Sequence, residues 1–161
     1  MRIITLAAAL TVALAATALA AATTSKVSLK RGAIGSYLVD SKGRTLYLFE
    51  KDTKGKSACS GSCAKAWPPV LVAKGKSKPT AGTGVKASLL GTVKRSDGTR
   101  QVTYKGHPLY LYAGDTKAGQ TTGEGLNDAW YVVSASGAKI EDESGDDSGG
   151  GGGGGYGDGG Y

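Results

Sequence analysis

The sequence contains few of the residues that most often perform catalysis or bind metals. Its 161 residues include one histidine, His107, two cysteines and one methionine. One histidine cannot supply the His-Glu-x-x-His motif of zinc proteases, and the scattered carboxylates form no visible triad with it. A glycine pair at 82–84 lacks the strand-to-helix context of a dinucleotide-binding fingerprint. We therefore predict a protein that is not an enzyme and that carries no cofactor.

Helical periodicity is also missing, because glycine and β-branched residues are too frequent to sustain a 3.6-residue pattern. Short β-favouring runs alternate instead with glycine-containing turns, which is typical of hairpins. The predicted hairpin strands are 37–40 with 45–49, 89–95 with 99–103, and 101–104 with 109–112. The runs 67–72 and 130–134 are predicted to close each unit. The sequence therefore predicts an all-β fold.

The two ends of the chain differ from its middle. One positive charge at Arg2, an uncharged run and small residues suited to cleavage predict a signal peptide over 1–22. The run could also span a bilayer as an uncleaved anchor, whereas no stable membrane span is expected after cleavage. Residues 141–161 carry six acids, no base and a long glycine run, and we predict that they are disordered. The expected location is secreted or extracytoplasmic, at the cell envelope.

The charge is distributed unevenly between the middle of the chain and its end. Nineteen of the twenty basic residues and seven of the thirteen acidic ones lie within 23–140, which therefore carries about +12. A basic domain attracts polyanions, and outside the cytoplasm these are acidic wall polymers, anionic lipids or extracellular DNA. We predict an anionic cell-envelope polymer as partner and no cytoplasmic nucleic acid. Solubility alone is the alternative, because the lysines are scattered. The sequence sets no oligomeric state.

The chain repeats itself at a shift of 63 residues. Between 39–70 and 102–133, twelve of 32 aligned positions are identical, and such a repeat sets the architecture. We predict repeat one at 36–72, a linker at 73–88 and repeat two at 89–135, within one domain at 23–140. Because one hairpin unit is too small to bury its own face, the copies should pack with pseudo-symmetry into a small sandwich or partly closed barrel. Its predicted core contains Leu46, Leu48, Leu109, Leu111 and the aromatic residues of the repeat.

Each copy contains the pattern Tyr-x-aromatic-x-x-Asp, followed by a tryptophan. The residues concerned are Tyr47, Phe49, Asp52 and Trp67 in the first copy, and Tyr110, Tyr112, Asp115 and Trp130 in the second. Residues two apart in a strand share a face, so the aromatic pair should lie on one side and the leucines on the other. The aspartate would then close a turn just beyond the strand. The alternative is that tyrosines and aspartates of both copies line a shared polar groove.

This motif, followed by Ser-x-Cys-x-Gly-x-Cys-Ala-x-x-Trp-Pro-Pro over 57–69, resembles the bacterial secreted-repeat family of predicted lipoproteins. The resemblance covers about 36–133. It implies an extracytoplasmic repeat protein, often lipid-anchored, with no established activity. The chain departs from this pattern because it has no cysteine near the predicted cleavage region.

The cysteine pair carries the two alternative interpretations of function. Cys59 and Cys63 align with Thr122 and Leu126, so the fold tolerates their absence from one copy. Two cysteines in a secreted chain most simply form one disulfide, which fits a binding or structural role at the envelope. The alternative is a redox or copper-type thiolate pair, since thiolates select copper(I). No third ligand follows nearby, and His107 is expected to have a surface role.

Overall fold

The computed structural model describes residues 23–24 and 26–141, which are almost entirely strands, turns and loops. The strands are β1 (Thr23–Thr24), β2 (Lys26–Gly32), β3 (Gly35–Asp40), β4 (Tyr47–Phe49), β5 (Leu71–Val72), β6 (Thr80–Ala81), β7 (Leu90–Lys94), β8 (Arg100–Tyr104), β9 (His107–Pro108) and β10 (Trp130–Val132). The helical segments are α1 (Ser62–Ala66) and two 3-10 turns, Ala87–Leu89 and Leu126–Asp128. The β-rich fold is thus confirmed. The predicted signal peptide and residues 142–161 of the predicted tail lie outside the described residues.

Each copy is built on an antiparallel hairpin, β2–β3 in the first and β7–β8 in the second. The second hairpin was predicted from the sequence, whereas β2 precedes the predicted start of repeat one at 36. The segment 73–88, predicted as a linker, contains β6, which pairs in parallel with β2. β5 pairs with β8 and, in parallel, with β1. The strand order leaves the sheets open rather than closing them into a barrel.

Two turns of unequal length shift the internal alignment. Leu46 N–H donates to Leu38 O (3.0 Å), and Leu109 N–H donates to Val102 O (2.9 Å). Leu38 is therefore the structural counterpart of Val102, which lies 64 positions further along the chain. The strands before and after this one correspond at a shift of 63 positions. The cause is a pair of compensating changes, because the hairpin β7–β8 has a longer turn than β2–β3 and the next turn is shorter in copy two. Lys105 and Gly106, with φ of 51° and 86°, make that shorter turn, as two-residue hairpin turns require.

The two copies pair with each other at the centre of the molecule. β4 of the first copy lies antiparallel to β10 of the second, with Leu48 opposite Tyr131. Tyr47 and Tyr110 exchange both backbone hydrogen bonds, each at 2.9 Å, so a pseudo-twofold axis passes between them. The equivalent ladder between 110–112 and 67–69 is shorter because Pro68 and Pro69 have no N–H to donate.

The core is divided into two clusters by the alternation of side chains along the central strands. One buried cluster contains the leucines that flank the two tyrosines, Leu46, Leu48, Leu109 and Leu111. The other contains Tyr47, Tyr110 and both tryptophans. The predicted separation of leucines from aromatics is therefore observed. The single shared core predicted from the sequence is instead two clusters on opposite faces of the central strands.

Candidate functional site

The two copies share one arrangement of side chains, a pair of reciprocal tyrosine–aspartate hydrogen bonds. The Tyr47 hydroxyl donates to Asp115 Oδ2 (2.6 Å), and the Tyr110 hydroxyl donates to Asp52 Oδ2 (2.7 Å). Both tyrosines are fully buried. Each tyrosine thus bonds the aspartate of the other copy. The sequence pattern singled out these four residues, but it did not indicate which tyrosine bonds which aspartate.

The second oxygen of each carboxylate ties down the loop that follows it. Asp52 Oδ1 accepts from the Ala58 N–H (2.7 Å), six residues along the chain. Asp115 Oδ1 accepts from both the N–H and the hydroxyl of Thr122, at 3.0 and 2.6 Å. Each aspartate therefore fixes its own loop and anchors the other copy's tyrosine. These contacts span six and seven positions, which is longer than the Asx turn expected of an aspartate at a strand exit.

Burial controls the protonation of these groups. It raises the pKa of Tyr47 and of Tyr110 far above the usual value of about 10, and the neighbouring carboxylates Asp115 and Asp52 raise them further. Burial also raises the pKa of Asp52, against the lowering effect of the Ala58 N–H and the Tyr110 hydroxyl. Both tyrosines are therefore held as hydrogen-bond donors. Their hydroxyls are engaged inside the protein, which favours a structural role for the pairs.

The other motif aromatics form a continuous stack that also crosses between the copies. Trp67 and Trp130 are parallel with ring centroids 3.9 Å apart. Phe49 stacks on Trp130 at 4.1 Å, and Tyr112 lies against Trp67 at 4.4 Å. Each outer ring thus contacts the tryptophan of the other copy. Stacked aromatic pairs contribute about 0.5–1.5 kcal/mol each beyond their burial, so the stack holds the two copies together.

The cysteine pair forms a disulfide, as predicted. Cys59 and Cys63 are bonded with Cα atoms 5.3 Å apart, and Cys59 is buried while Cys63 is half-buried. The bridge spans the start of α1, where the Cys63 N–H donates to Ser60 O (3.1 Å). It therefore fixes the loop that leads into Trp67. Groups of three or more potential metal-ligating side chains are not found within 23–24 and 26–141.

A buried arginine beside this loop was missed by the sequence analysis. Arg95 donates from Nη1 to Ser57 Oγ (2.8 Å) and Gln101 Oε1 (2.7 Å), and from Nη2 to Cys59 O (2.7 Å). Ser57 Oγ in turn lies 2.7 Å from the Tyr110 hydroxyl. These contacts link Arg95 to the Tyr110–Asp52 pair. The sequence placed Arg95 only at a strand end before a turn, and no local signal marked it as buried.

Two surface clefts border the aspartates at equivalent places in the copies. One, of about 340 Å³, is lined by Tyr112, Asp115 and Arg44 among others. The other, of about 370 Å³, is lined by Phe49, Asp52 and His107 among others. The half-buried His107 thus lies beside the first copy's aspartate. Both clefts contain one motif aromatic, one motif carboxylate and a basic or imidazole side chain.

Comparison with protein families identifies the chain. The model of a family described as a secreted repeat of unknown function matches it twice, over residues 28–71 and 91–134. Together these segments cover more than half of the chain, which therefore belongs to this family. The family description supports an extracytoplasmic location. Searches of curated proteins and of solved structures find no match. Among the residues of 23–24 and 26–141, no helix is long and apolar enough to cross a membrane.

Proposed function

We propose that this protein is a non-enzymatic binding protein of the cell envelope that holds an anionic polymer through its basic surface. The observation that carries the proposal is the location of the charges. Of the nineteen lysines and arginines in the described residues, all but Arg44, Arg95 and Lys139 are exposed. Of the eight acidic residues in the same part of the chain, four are exposed: Glu50, Asp97, Asp128 and Glu141.

The other four acidic residues of the part that the structure describes are engaged inside the fold. Asp40 forms an ion pair with Arg44 at 2.6 Å, and Asp52 and Asp115 bind the central tyrosines. Glu124 Oε2 accepts from the Val132 N–H at 2.6 Å. Within 23–24 and 26–141, sixteen exposed cations therefore face solvent against four exposed acids, which gives this part of the chain a positive surface field.

A binding titration against an anionic and a neutral polysaccharide or polyol-phosphate of equal length tests the proposal. We expect binding of the anionic polymer alone, weakening at least tenfold between about 20 and 200 mM salt, because surface charge interactions are screened within about 10 Å. Binding that does not respond to salt, or no binding, would rule out the electrostatic proposal.

The disulfide favours one second candidate, an extracytoplasmic redox role for Cys59 and Cys63. The half-exposed Cys63 could be reached by a partner thiol, whereas Cys59 is buried. Exchange begins with thiolate attack on an accessible sulfur. Loss of redox turnover in a variant lacking both cysteines, with the fold intact, would support this candidate over the first, which expects polymer binding to survive the same change.

A further inference from the structure

A third cleft, of about 350 Å³, lies beside the disulfide loop and is rich in cations and hydroxyl groups. Its lining comprises Lys56, Ser57, Cys59, Ser60, Lys94, Arg95 and Ser96. No carboxylate belongs to this lining. The two lysines are exposed and their flexible side chains can reach a bound group. The cleft thus concentrates three positive charges and three serine hydroxyls around one space.

Arg95 is the unusual member of this lining, because its side chain is only 7% exposed. Its Nη atoms are held by Ser57, Gln101 and the Cys59 carbonyl. Its Nε is buried and has no hydrogen-bond partner. The nearest acid, Asp97, places Oδ2 3.8 Å from Nε, and its side chain is 59% exposed. A buried donor without an acceptor is costly, and here it belongs to a full charge.

We infer that this cleft is an oxyanion site that binds a phosphoryl group, with Arg95 Nε and the ammonium groups of Lys56 and Lys94 as its donors. The inference deepens the proposed function and rests on it, since it names the group of the polymer that is recognised. An oxyanion entering beside Asp97 would give Nε its missing acceptor. Lys56, Lys94 and the hydroxyls of Ser60 and Ser96 would contact the other oxygens.

The composition of the cleft favours phosphate over carboxylate. A phosphoryl group offers several oxygens in different directions, which suits an arginine edge, two mobile ammonium groups and hydroxyls converging from separate loops. A planar carboxylate would use the arginine but leave most of the other donors idle. The volume exceeds that of one phosphate, so flanking parts of a phosphodiester chain can enter as well.

The test follows the Arg95 Nε–H signal by NMR while three probes are added at constant ionic strength. The probes are inorganic phosphate, a short glycerol-phosphate oligomer and a polygalacturonate oligomer of equal charge. We expect the signal to shift with the phosphate probes. The double variant Lys56→Gln/Lys94→Gln should bind the glycerol-phosphate oligomer about tenfold more weakly, the effect of losing charge-assisted contacts. The matched control is Lys74→Gln/Lys76→Gln, which removes the same charge outside the cleft and should change binding about twofold or less.

A further variant tests the position of the ligand. Asp97→Asn keeps the Oδ1 acceptor that receives the Thr99 N–H at 2.9 Å, but it removes the competing charge beside Nε. We expect about threefold tighter binding of the phosphate probes. Unchanged or weaker binding would contradict the proposed place of the oxyanion.

The outcomes separate this inference from the proposed function. Equal weakening in both lysine pairs, or a stationary Nε–H signal, would overturn the cleft while leaving polymer binding by the whole surface intact. A shift with inorganic phosphate but none with either oligomer would assign the cleft to free phosphate and overturn its role in polymer recognition, while the salt titration continues to test polymer binding by the whole surface. Preference for the polygalacturonate oligomer would overturn the phosphoryl assignment.

Discussion

The two copies fold the same central residues in the same way but stabilise the following loop by different means. In the first copy, the loop between Asp52 and Trp67 contains the disulfide and α1. In the second, glycine and side-chain hydrogen bonds replace the bridge. A Cβ at Gly123 would come within 2.7 Å of the Trp67 ring and 3.0 Å of Tyr47, so only glycine fits there. The comparison separates what the fold requires from what one copy adds.

The added features lie together on the first copy's loop. The disulfide, Ser57 and the carbonyl that holds Arg95 all belong to it. The second copy keeps the tyrosine, aspartate and tryptophan but has no equivalent cysteines. The tyrosines, aspartates and tryptophans shared by both copies are engaged inside the structure, whereas the proposed oxyanion cleft combines the first copy's loop with Lys94, Arg95 and Ser96 of the second copy.

The largest loss of folding stability is expected from substitution of the stacked tryptophans, because both are buried and they lie at equivalent places in the two copies. Trp67→Ala and Trp130→Ala should each lower the free energy of unfolding by about 3–5 kcal/mol, measured by urea denaturation. The matched control is Tyr131→Ala, which removes a half-buried ring on the same strand as Trp130. It should cost about 1 kcal/mol. A difference of several kcal/mol between the two tryptophan variants would show that the copies are not energetically equivalent.

The next largest effect is the dependence of the free energy of unfolding on pH, which arises from the two buried tyrosines. Their pKa values are raised in the folded state, so above pH 10 the unfolded chain loses both protons while the folded chain keeps them. Stability is therefore full below about pH 10 and falls as pH rises, by about 1.4 kcal/mol per pH unit for each tyrosine. We expect a slope of about 2.7 kcal/mol per pH unit from denaturation at pH 10.5–12.

Single variants assign that slope to each copy. Tyr47→Phe and Tyr110→Phe should each remove about half of it, although both lower the stability at neutral pH by leaving a carboxylate with one donor fewer. Tyr112→Phe is the control, since Tyr112 is a half-buried aromatic residue of the same motif and the hydroxyl partners of Asp52 and Asp115 are Tyr110 and Tyr47. A full slope in Tyr47→Phe or Tyr110→Phe would contradict the equivalence of the two pairs.

The smallest effect is expected from the feature that only one copy has. Cys59→Ser/Cys63→Ser should lower the unfolding free energy by about 2 kcal/mol, because the bridge closes a short loop and constrains the unfolded chain little. Binding of the anionic polymer should change less than twofold while the protein stays folded, because the Cys59 backbone carbonyl that holds Arg95 is retained. Loss of a thiol–disulfide exchange or metal-binding activity from the folded variant, with polymer binding retained, would support the redox or metal-handling alternative instead.

Much of the fold could be predicted from the sequence because its signals are local or repetitive. The 63-residue repeat indicated two equivalent units, and the alternation around Leu48 and Leu111 placed leucines and aromatics on opposite faces. β2 was not predicted because none of its residues is identical to the residue 63 positions further along, in and beside β7. The identical positions that revealed the repeat begin only at Val39.

The site was less predictable because its contacts join residues far apart in the chain. Tyr47 and Asp115 are 68 positions apart, and a motif present twice cannot show whether its members bond within a copy or between copies. Arg95 is separated from Ser57 by 38 positions, and its neighbours Lys94 and Ser96 are exposed. Only the folded chain shows that this one cation is buried.

The exchange of partners across the pseudo-twofold axis has an evolutionary consequence. A single ancestral copy could satisfy its tyrosine and aspartate only by pairing with another molecule of itself, as a symmetric homodimer. Duplication and fusion would then have converted an intermolecular interface into the interior of one chain. Once fused, the halves no longer needed identical loops, so the first could acquire a disulfide and the second a buried arginine that donates to the first copy's loop.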